Sequence, residues 1–315
     1  MAKRKRKAMP LAPPPAMRSR KKARLVTTLF HKYTKARDLA EVKGDPFKVQ
    51  EMEAKIMEIG GRDAYQRASQ LSTSFHSTSK WVLGHLSRNG WLYGIENDEA
   101  STERGRKKGR RQANVLEVGA INTELLDAAK LTKRVEQESE NGESTFIDAP
   151  KYRLCVKAID LKSSHAGIEE ADFNHFPLKH EDPTQRYDVI VCSMVINCVT
   201  TPEQRGVMLT RLYHQLCPGG LCFFTLPRLC LNQSPYTSTA NFQDLLKDGV
   251  GFDIVEIKNS PKISFYILKR PTHNETKTKF NPKWAKLTVI NRGTKFRNTF
   301  GVVLEENQVT GASLH

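Results

Sequence analysis

The sequence predicts an α/β protein built on a mostly parallel sheet, with an antiparallel terminal hairpin and a helical N-terminal lead-in. Three observations carry that expectation. Strand-like apolar runs ("NVLEVG", "YRLCVKAID", "YDVIVCSMV", "LCFFTLP") alternate with stretches of helical spacing over residues 113–270. These runs are apolar on both faces, as strands are when helices cover both sides of a parallel sheet. The last two, "FDIVEI" and "SFYILKR", are joined by a turn of about five residues, too short for a parallel crossover, so they pair as a hairpin at the sheet edge.

The chain begins with a basic arm. Residues 1–40 hold thirteen Lys or Arg against one acid, Asp38, and so account for twelve of the sixteen net positive charges of the 315-residue chain. With "KRKRK", "PPP" and "RSRKKAR" it has too little apolar surface to offset its ordering entropy, and the expectation for 1–40 is a disordered targeting arm. It reads as a nuclear or nucleolar address, as an RNA-binding arm that draws phosphates by counterion release, or as both. No apolar stretch follows "MAKRKRKAMP", unlike a secretory signal, and no run approaches the roughly 18 to 20 apolar residues of a membrane span.

A helical lead-in is expected over 41–96. In "PFKVQEMEAKIMEIGG", Val49, Met52, Ile56, Met57 and Ile59 recur near spacings of three and four, and Gly60 and Gly61 end the helix. A second helix in "RDAYQRASQL" leads through a hydroxyl-rich turn to a third near Ser79. The charged loop "ENDEASTERGRKKGRRQA" follows, with six basic residues between Arg104 and Arg111.

The strand ending at Gly119 opens the sheet. A helix over 122–130, a polar loop, the strand ending at Asp160, a short strand over 168–171 and the strand "YDVIVCSMV" follow. In "TPEQRGVMLTRLYHQL", Thr201 is the helix cap, Pro202 the first helical position and Gln204 the far side of a capping box. Met208, Leu209, Leu212 and Leu216 form its apolar face. A C-terminal extension, 271–315, mixes basic and apolar positions; it either packs back on the core or touches RNA, and the sequence does not choose. Cys155, Cys192, Cys198, Cys217, Cys222 and Cys230 lack metal-ligand or disulfide-framework spacing and read as buried thiols, with no metal site.

Alternating β/α units closed by one reversed strand are the pattern of the class I S-adenosylmethionine-dependent methyltransferase fold, which is Rossmann-like. In such sheets the ligand lies outside the carboxyl ends of the strands, at the switch in strand order. The residues there are Glu117 and Gly119 after the first strand, Asp160 after the second, Asp172 and Phe173 after the third, and Ser193 to Asn197 after the fourth. For an adenosyl sulfonium each has a physical task. Gly119 lets the backbone come close. Asp160 accepts both ribose hydroxyls. Asp172 accepts the adenine amine while the Phe173 amide faces a ring nitrogen, and Ser193 closes over the ligand. The Asn197 amide oxygen can hold the exocyclic amine of a target adenine, which makes it the candidate catalytic residue.

The blocks "GGRDAYQRAS", "STSKW", "LEVGAINTE", "AIDL", "ADF", "YDVIVCSMVINCV" and "LYHQLCPGGLCFFTLP" resemble the fungal nucleolar methyltransferase family that modifies adenine N(1) of large-subunit (25S) ribosomal RNA. The single-glycine first loop and the "SMVIN" segment are unusual among methyltransferases yet typical of this family. The resemblance implies S-adenosyl-L-methionine bound at Gly119 and Asp160, with Asp172, Phe173 and Ser193 completing its pocket. It implies large-subunit ribosomal RNA or a pre-ribosomal particle as partner, a nuclear and nucleolar location, and no membrane association. Animal relatives include an S-adenosylmethionine sensor, so a non-catalytic sensor is the alternative reading, against which the basic arm counts. The block "AYQRASQLSTSFHSTSKW" departs from the family's glycine- and glutamine-rich pattern, so Ser79 and Lys80 carry no assigned role.

Adenine N(1) carries a lone pair at neutral pH, so no strong base is needed; the base must be unpaired or flipped out to expose its pairing edge. Tyr65, Trp81, Phe173 or Tyr236 would stack on it, and Asn232, Ser234 and Tyr236 would line the acceptor side. The oligomeric state is left open.

Overall fold

Ala23, Val26 and Phe30 recur three and four residues apart, which gives Arg20–Val42 (α1) a buried stripe on an otherwise cationic helix. Ser19 caps it through the Lys22 amide at 3.3 Å. Residues 20–40 are therefore helical and not part of a disordered arm: small Ala and Val side chains let α1 approach Ala64 and Ala68 closely enough to exclude water, and the Phe30 ring stacks on Tyr65 at 4.5 Å. The computed structural model describes residues 19–73, 78–96, 110–138, 144–163, 165–178, 185–272, 280–293 and 296–310. Residues 1–18 of the basic arm and 97–109 of the charged loop lie outside these.

The chain divides into two units, Met1–His76 and Ser77–His315. In the first, α1 packs with Pro46–Glu58 (α2) and Gly61–Thr73 (α3). Asp45 caps α2 by accepting from the Lys48 amide at 3.0 Å, with Pro46 in its first turn. The expected lead-in of 41–96 is thus not one piece. Its last helix, Thr78–Arg88 (α4), belongs to the second unit because Val82 and Leu86 are buried against the sheet.

The second unit opens with α4, a 3₁₀ turn at Trp91–Tyr93, and the short strands Ile95–Glu96 (β1) and Arg110–Arg111 (β2), which pair with each other. Then come Ala113–Val118 (β3), Glu124–Lys130 (α5), Thr132–Glu138 (β4), Ser144–Pro150 (β5), Leu154–Asp160 (β6), Ile168–Glu170 (β7) and Tyr187–Ser193 (β8). Pro202–Gln215 (α6), Leu216–Pro227 (β9), Arg228–Asn232 (α7), Thr239–Asp244 (α8), Asp253–Asn259 (β10), Ile263–Lys269 (β11) and Glu306–Thr310 (α9) complete it. The main sheet has the order β10-β11-β9-β8-β3-β6-β7. Every pairing from β9 to β7 is parallel, whereas β11 runs antiparallel to both neighbours. The chain moves from β3 outward to β6 and β7 and then returns to β8 on the other side, so the switch in strand order falls between β3 and β8.

Period-two alternation divides the core. Leu116, Val118, Ile190, Cys192, Phe224 and Leu268 face one side with Met208, Leu209 and Leu212 of α6. Val115, Val189, Val191, Phe223 and Ile267 face the other with Val82 and Leu86 of α4 and Leu125 of α5. Trp81 meets Phe223 and Phe265 edge-on, each at 5.2 Å. The polar loop expected after α5 is instead an antiparallel β4–β5 hairpin with Val135 opposite Ile147; its apolar residues alternate too briefly to stand out among the charges.

Residues 280–310 return over α6. Trp284, Phe300, Val302, Leu304 and Val309 join the core, and a Cβ on Gly206 of α6 would collide with the Val303 carbonyl. Thr201 caps α6 through the Gln204 amide at 3.2 Å, but the Gln204 side chain meets the Thr200 hydroxyl. Five of the six cysteines are at least half-buried, Cys155 is exposed, and none of the six is in a disulfide. Among the described residues no helix is long and apolar enough to cross a membrane, and no cluster of His, Cys, Asp or Glu is arranged to hold a metal ion.

Candidate active site

The carboxyl ends of β3, β6, β7 and β8 lie side by side, and they carry Glu117, Gly119, Asp160, Asp172, Phe173, Ser193 and Asn197 along one edge of the sheet. At its centre, Gly119 has φ +72°, and both its amide and that of Ala120 donate to the Ile159 carbonyl, at 2.8 and 3.0 Å. A Cβ on Gly119 would overlap Cγ2 of Val195 in the loop after β8. The glycine is thus needed for its dihedral angle and for the close approach of the two loops that flank the switch point. Thr123 is the N-cap of α5; just before it Asn122 Oδ1 accepts the Glu124 amide at 3.1 Å, while the Thr123 hydroxyl donates to Asp127 at 2.7 Å.

Glu117 is the most perturbed acid at this edge. Its Oε2 is sealed from solvent and accepts no hydrogen bond from any described residue. Burial, with the neighbouring Glu124 adding repulsion, pushes its pKa from 4.5 up to about 8. Asn197 has the same character: Nδ2 reaches Cys198 Sγ at 3.4 Å, but Oδ1 is buried without a donor among the described residues. Two acceptors of this kind are costly unless a ligand supplies the donors or positive charge they lack.

The other candidates are engaged locally. Asp160 Oδ1 accepts the Lys162 amide at 3.0 Å, shaping the turn at the end of β6. Asp172 accepts the Asn174 amide at 2.9 Å through Oδ1 and meets His175 Nδ1 at 3.0 Å through Oδ2. The Phe173 ring is buried in the core, so only its backbone faces the edge. Its carbonyl accepts from Arg211 Nε at 3.1 Å, and the same guanidinium holds the Phe176 carbonyl. One turn further along α6, Gln215 donates to the Pro177 carbonyl at 2.7 Å. Ser193 Oγ lies 2.9 Å from the hydroxyls of both Thr78 and Thr225, joining α4, β8 and β9.

Met194, directly after β8, has φ 60°, an uncommon conformation for a side-chain-bearing residue. It lets the chain turn so that Val195 meets Gly119 and Asn197 lies within the same turn. No glycine marks it in "SMVIN", so the sequence carried no signal for it.

The substrate side differs from the expectation. Tyr65 is stacked on Phe30, Trp81 is packed on the sheet and Phe173 is in the core, so three of the four aromatics proposed for stacking are committed to packing. Ser234 is fully buried, its hydroxyl donating to the Phe300 carbonyl. Asn232 is exposed and accepts from Thr239 at 3.4 Å; Tyr236 is half-buried, with Gly301 against its Cβ. The C-terminal extension covers this loop because Ser234 and Thr237 both donate to the Phe300 carbonyl.

The chain matches the family described as 25S rRNA (adenine(2142)-N(1))-methyltransferase, Bmt2, over residues 50–149 and 143–302. A Saccharomyces cerevisiae protein named 25S rRNA (adenine(2142)-N(1))-methyltransferase is 30% identical over 149 residues, which are 47% of this chain and 42% of that protein. Among solved structures, the N-methyltransferase NodS from Bradyrhizobium japonicum, in complex with S-adenosyl-L-homocysteine, is 14% identical with a TM-score of 0.33, covering 51% of this chain and 80% of its own. A putative sarcosine dimethylglycine methyltransferase from Galdieria sulphuraria is 12% identical with a TM-score of 0.38, covering 62% of this chain and 86% of its own. The family match extends across well over half of the chain, from within α2 through the extension that covers α6, and the chain therefore belongs to the Bmt2 family of 25S rRNA (adenine(2142)-N(1))-methyltransferases.

Proposed function

We propose that this protein methylates N(1) of an adenosine in large-subunit ribosomal RNA, with S-adenosylmethionine as donor, within a nucleolar pre-ribosomal particle. The observation that carries the reading is the pair of buried acceptors, Glu117 Oε2 and Asn197 Oδ1, on either side of the Gly119–Val195 approach. Family membership supports the choice of substrate.

S-adenosylmethionine, when bound, supplies a methyl group on a cationic sulfur. Glu117 is a fitting counter-charge for such a ligand, because a nearby cation favours the carboxylate that burial otherwise disfavours. Asp160 would hold the ribose hydroxyls, and Asp172 with the Phe173 amide the adenine. Asp160 ends β6, the strand next to β3, and Asp172 and Phe173 follow β7, one strand further out. Ser193 braces β8 against α4 and β9 and so keeps this edge in place.

The target adenine needs no base to expose its nucleophile, since N(1) is unprotonated near neutral pH. Asn197 Oδ1 accepts a hydrogen from the exocyclic amine and turns the ring so that N(1) faces the cofactor. Orientation of this kind contributes up to roughly 7 to 11 kcal/mol in ideal cases. The base enters flipped out or single-stranded, at a cost of a few kcal/mol.

Primer extension on ribosomal RNA from cells lacking the protein tests the reading. An N(1)-methyladenosine stop disappears, the full-length chain restores it and Asp160→Ala does not. If every stop survives the deletion, the protein is not the methyltransferase for such a site.

A further inference from the structure

Residues 280–304 contain five Lys or Arg and no acid, and the described parts of this segment, 280–293 and 296–304, are fixed to the same edge of the sheet as the candidate site. The Ile290 and Asn291 amides donate to the Pro235 carbonyl at 2.9 and 3.1 Å. Asn291 Nδ2 reaches the carbonyls of Ser234 and Thr237 at 2.9 and 3.1 Å. Further on, the Asn298 amide donates to the Gln233 carbonyl at 3.0 Å. All these acceptors lie in the loop that follows β9 and α7, beyond the carboxyl end of the sheet.

A second tie reaches the Asn197 loop itself. Arg205, buried in α6, donates from Nε to the Val199 carbonyl at 2.9 Å and from Nη2 to the Thr200 carbonyl at 2.9 Å. Its Nη1 donates to the Gly301 carbonyl at 2.8 Å, and the Phe300 ring lies 4.9 Å from the guanidinium carbon. One guanidinium thus joins the loop after β8 to the extension.

Between and beside these anchors the side chains point outward. Lys286, Arg292 and Arg297 are exposed, and none forms an ion pair with another described residue. Val289, Ile290 and Phe296 are 56%, 40% and 36% exposed alongside them. Unpaired cations interleaved with exposed apolar and aromatic groups suit single-stranded RNA, which offers phosphates to the first and base faces to the second.

We propose that this C-terminal strap, centred on Lys286, Arg292, Phe296 and Arg297, is the RNA-binding rim of the active edge. It holds the strand beside the flipped adenosine while the cofactor is held by the sheet. The inference rests on the reading of the substrate as RNA.

The test uses the full-length protein and a single-stranded RNA oligonucleotide spanning a target adenosine. In a Lys286→Ala, Arg292→Ala, Arg297→Ala variant, RNA affinity falls about tenfold or more and the slope of log affinity against log salt shrinks by about 2, near 0.7 per lost phosphate contact. Affinity for S-adenosylhomocysteine, measured by calorimetry, stays at the parent value. KM for RNA rises while kcat at saturating RNA is retained. Phe296→Ala weakens binding without changing the salt slope, which separates stacking from charge. The control variant Lys130→Ala, Lys133→Ala, Lys151→Ala removes three cations at the opposite end of the sheet and keeps parental RNA affinity.

A strap variant that binds RNA as the parent does, or a control variant that loses as much, overturns the strap inference alone. A parent protein with no affinity for RNA overturns the substrate reading as well. Retained RNA affinity together with lost binding of an acidic protein would assign the strap to that partner instead.

Discussion

Gly119 and Val195 approach so closely across the switch point that a Cβ on the glycine would overlap Val195 Cγ2. Its φ of +72° adds a second constraint, since a left-handed conformation costs a side-chain-bearing residue about 1 to 2 kcal/mol. Gly119→Ala is therefore expected to lower stability by at least that amount, as well as weaken cofactor binding. In a double-mutant cycle with Val195→Ala, chemical denaturation should show a favourable coupling of about 0.5 kcal/mol or more, because the smaller partner relieves the overlap. Additive effects would mean that the two loops do not meet in solution.

Glu117 makes the protein pH-sensitive without cofactor. Its carboxyl titrates near 8 in the folded chain against an ordinary 4.5. Between those values the native state holds a proton that the unfolded state releases, so stability falls as pH rises. The contribution is fully present below about pH 4.5 and gone above about pH 8. Denaturation midpoints across this window should decline in the parent and decline less in Glu117→Gln. Affinity for S-adenosylmethionine should rise over the same window, because a cationic ligand favours the carboxylate. An affinity independent of pH would remove Glu117 from the cofactor site.

Arg211 and Arg270 are both buried arginines that donate to main-chain carbonyls, but to different parts of the fold. Arg211 holds Phe173 and Phe176 beside the site, whereas Arg270 holds the Leu216 carbonyl at 2.7 Å at the far end of the sheet. Replacing either by Met leaves carbonyls unsatisfied and should cost about 1 to 3 kcal/mol. Only Arg211→Met should also weaken S-adenosylhomocysteine binding, by about tenfold, the equivalent of one lost hydrogen bond of 1.4 kcal/mol. Equal affinities in the two variants would reduce Arg211 to a purely stabilising residue.

Residues 1–18 precede the Ser19 cap of α1, so their removal leaves the helical unit its full length. A chain starting at residue 19 should lose nucleolar accumulation under fluorescence microscopy and keep parental affinity for S-adenosylhomocysteine. A truncated protein still concentrated in the nucleolus would place the address elsewhere in the chain.

The central strands of the sheet, β3, β6, β8 and β9, were legible because each contains a contiguous apolar run, and the terminal hairpin because its turn is too short for any alternative. The strand-end candidates were legible for the same reason, since once the strands are known their carboxyl ends are known. Helix α1 was hidden by cationic residues surrounding Ala23, Val26 and Phe30. The β4–β5 hairpin was hidden by its charged positions. The roles of Trp81 and Ser234 were misread because an aromatic or hydroxyl group near a site looks the same in sequence whether it faces a ligand or the core.

The sequence by itself determined the succession of the main-sheet strands, the reversed last strand and the edge on which Glu117, Gly119, Asp160 and Asn197 fall. These follow from local periodicity, turn length and chain connectivity, which act over a few residues at a time. Only the tertiary structure decided that Val195 closes on Gly119, that Glu117 and Asn197 keep buried acceptors without donors, and that the basic C-terminal strap is stitched by Arg205 to the Asn197 loop. Those relationships join residues up to 96 positions apart, and burial, which sets their chemistry, exists only once distant segments pack together.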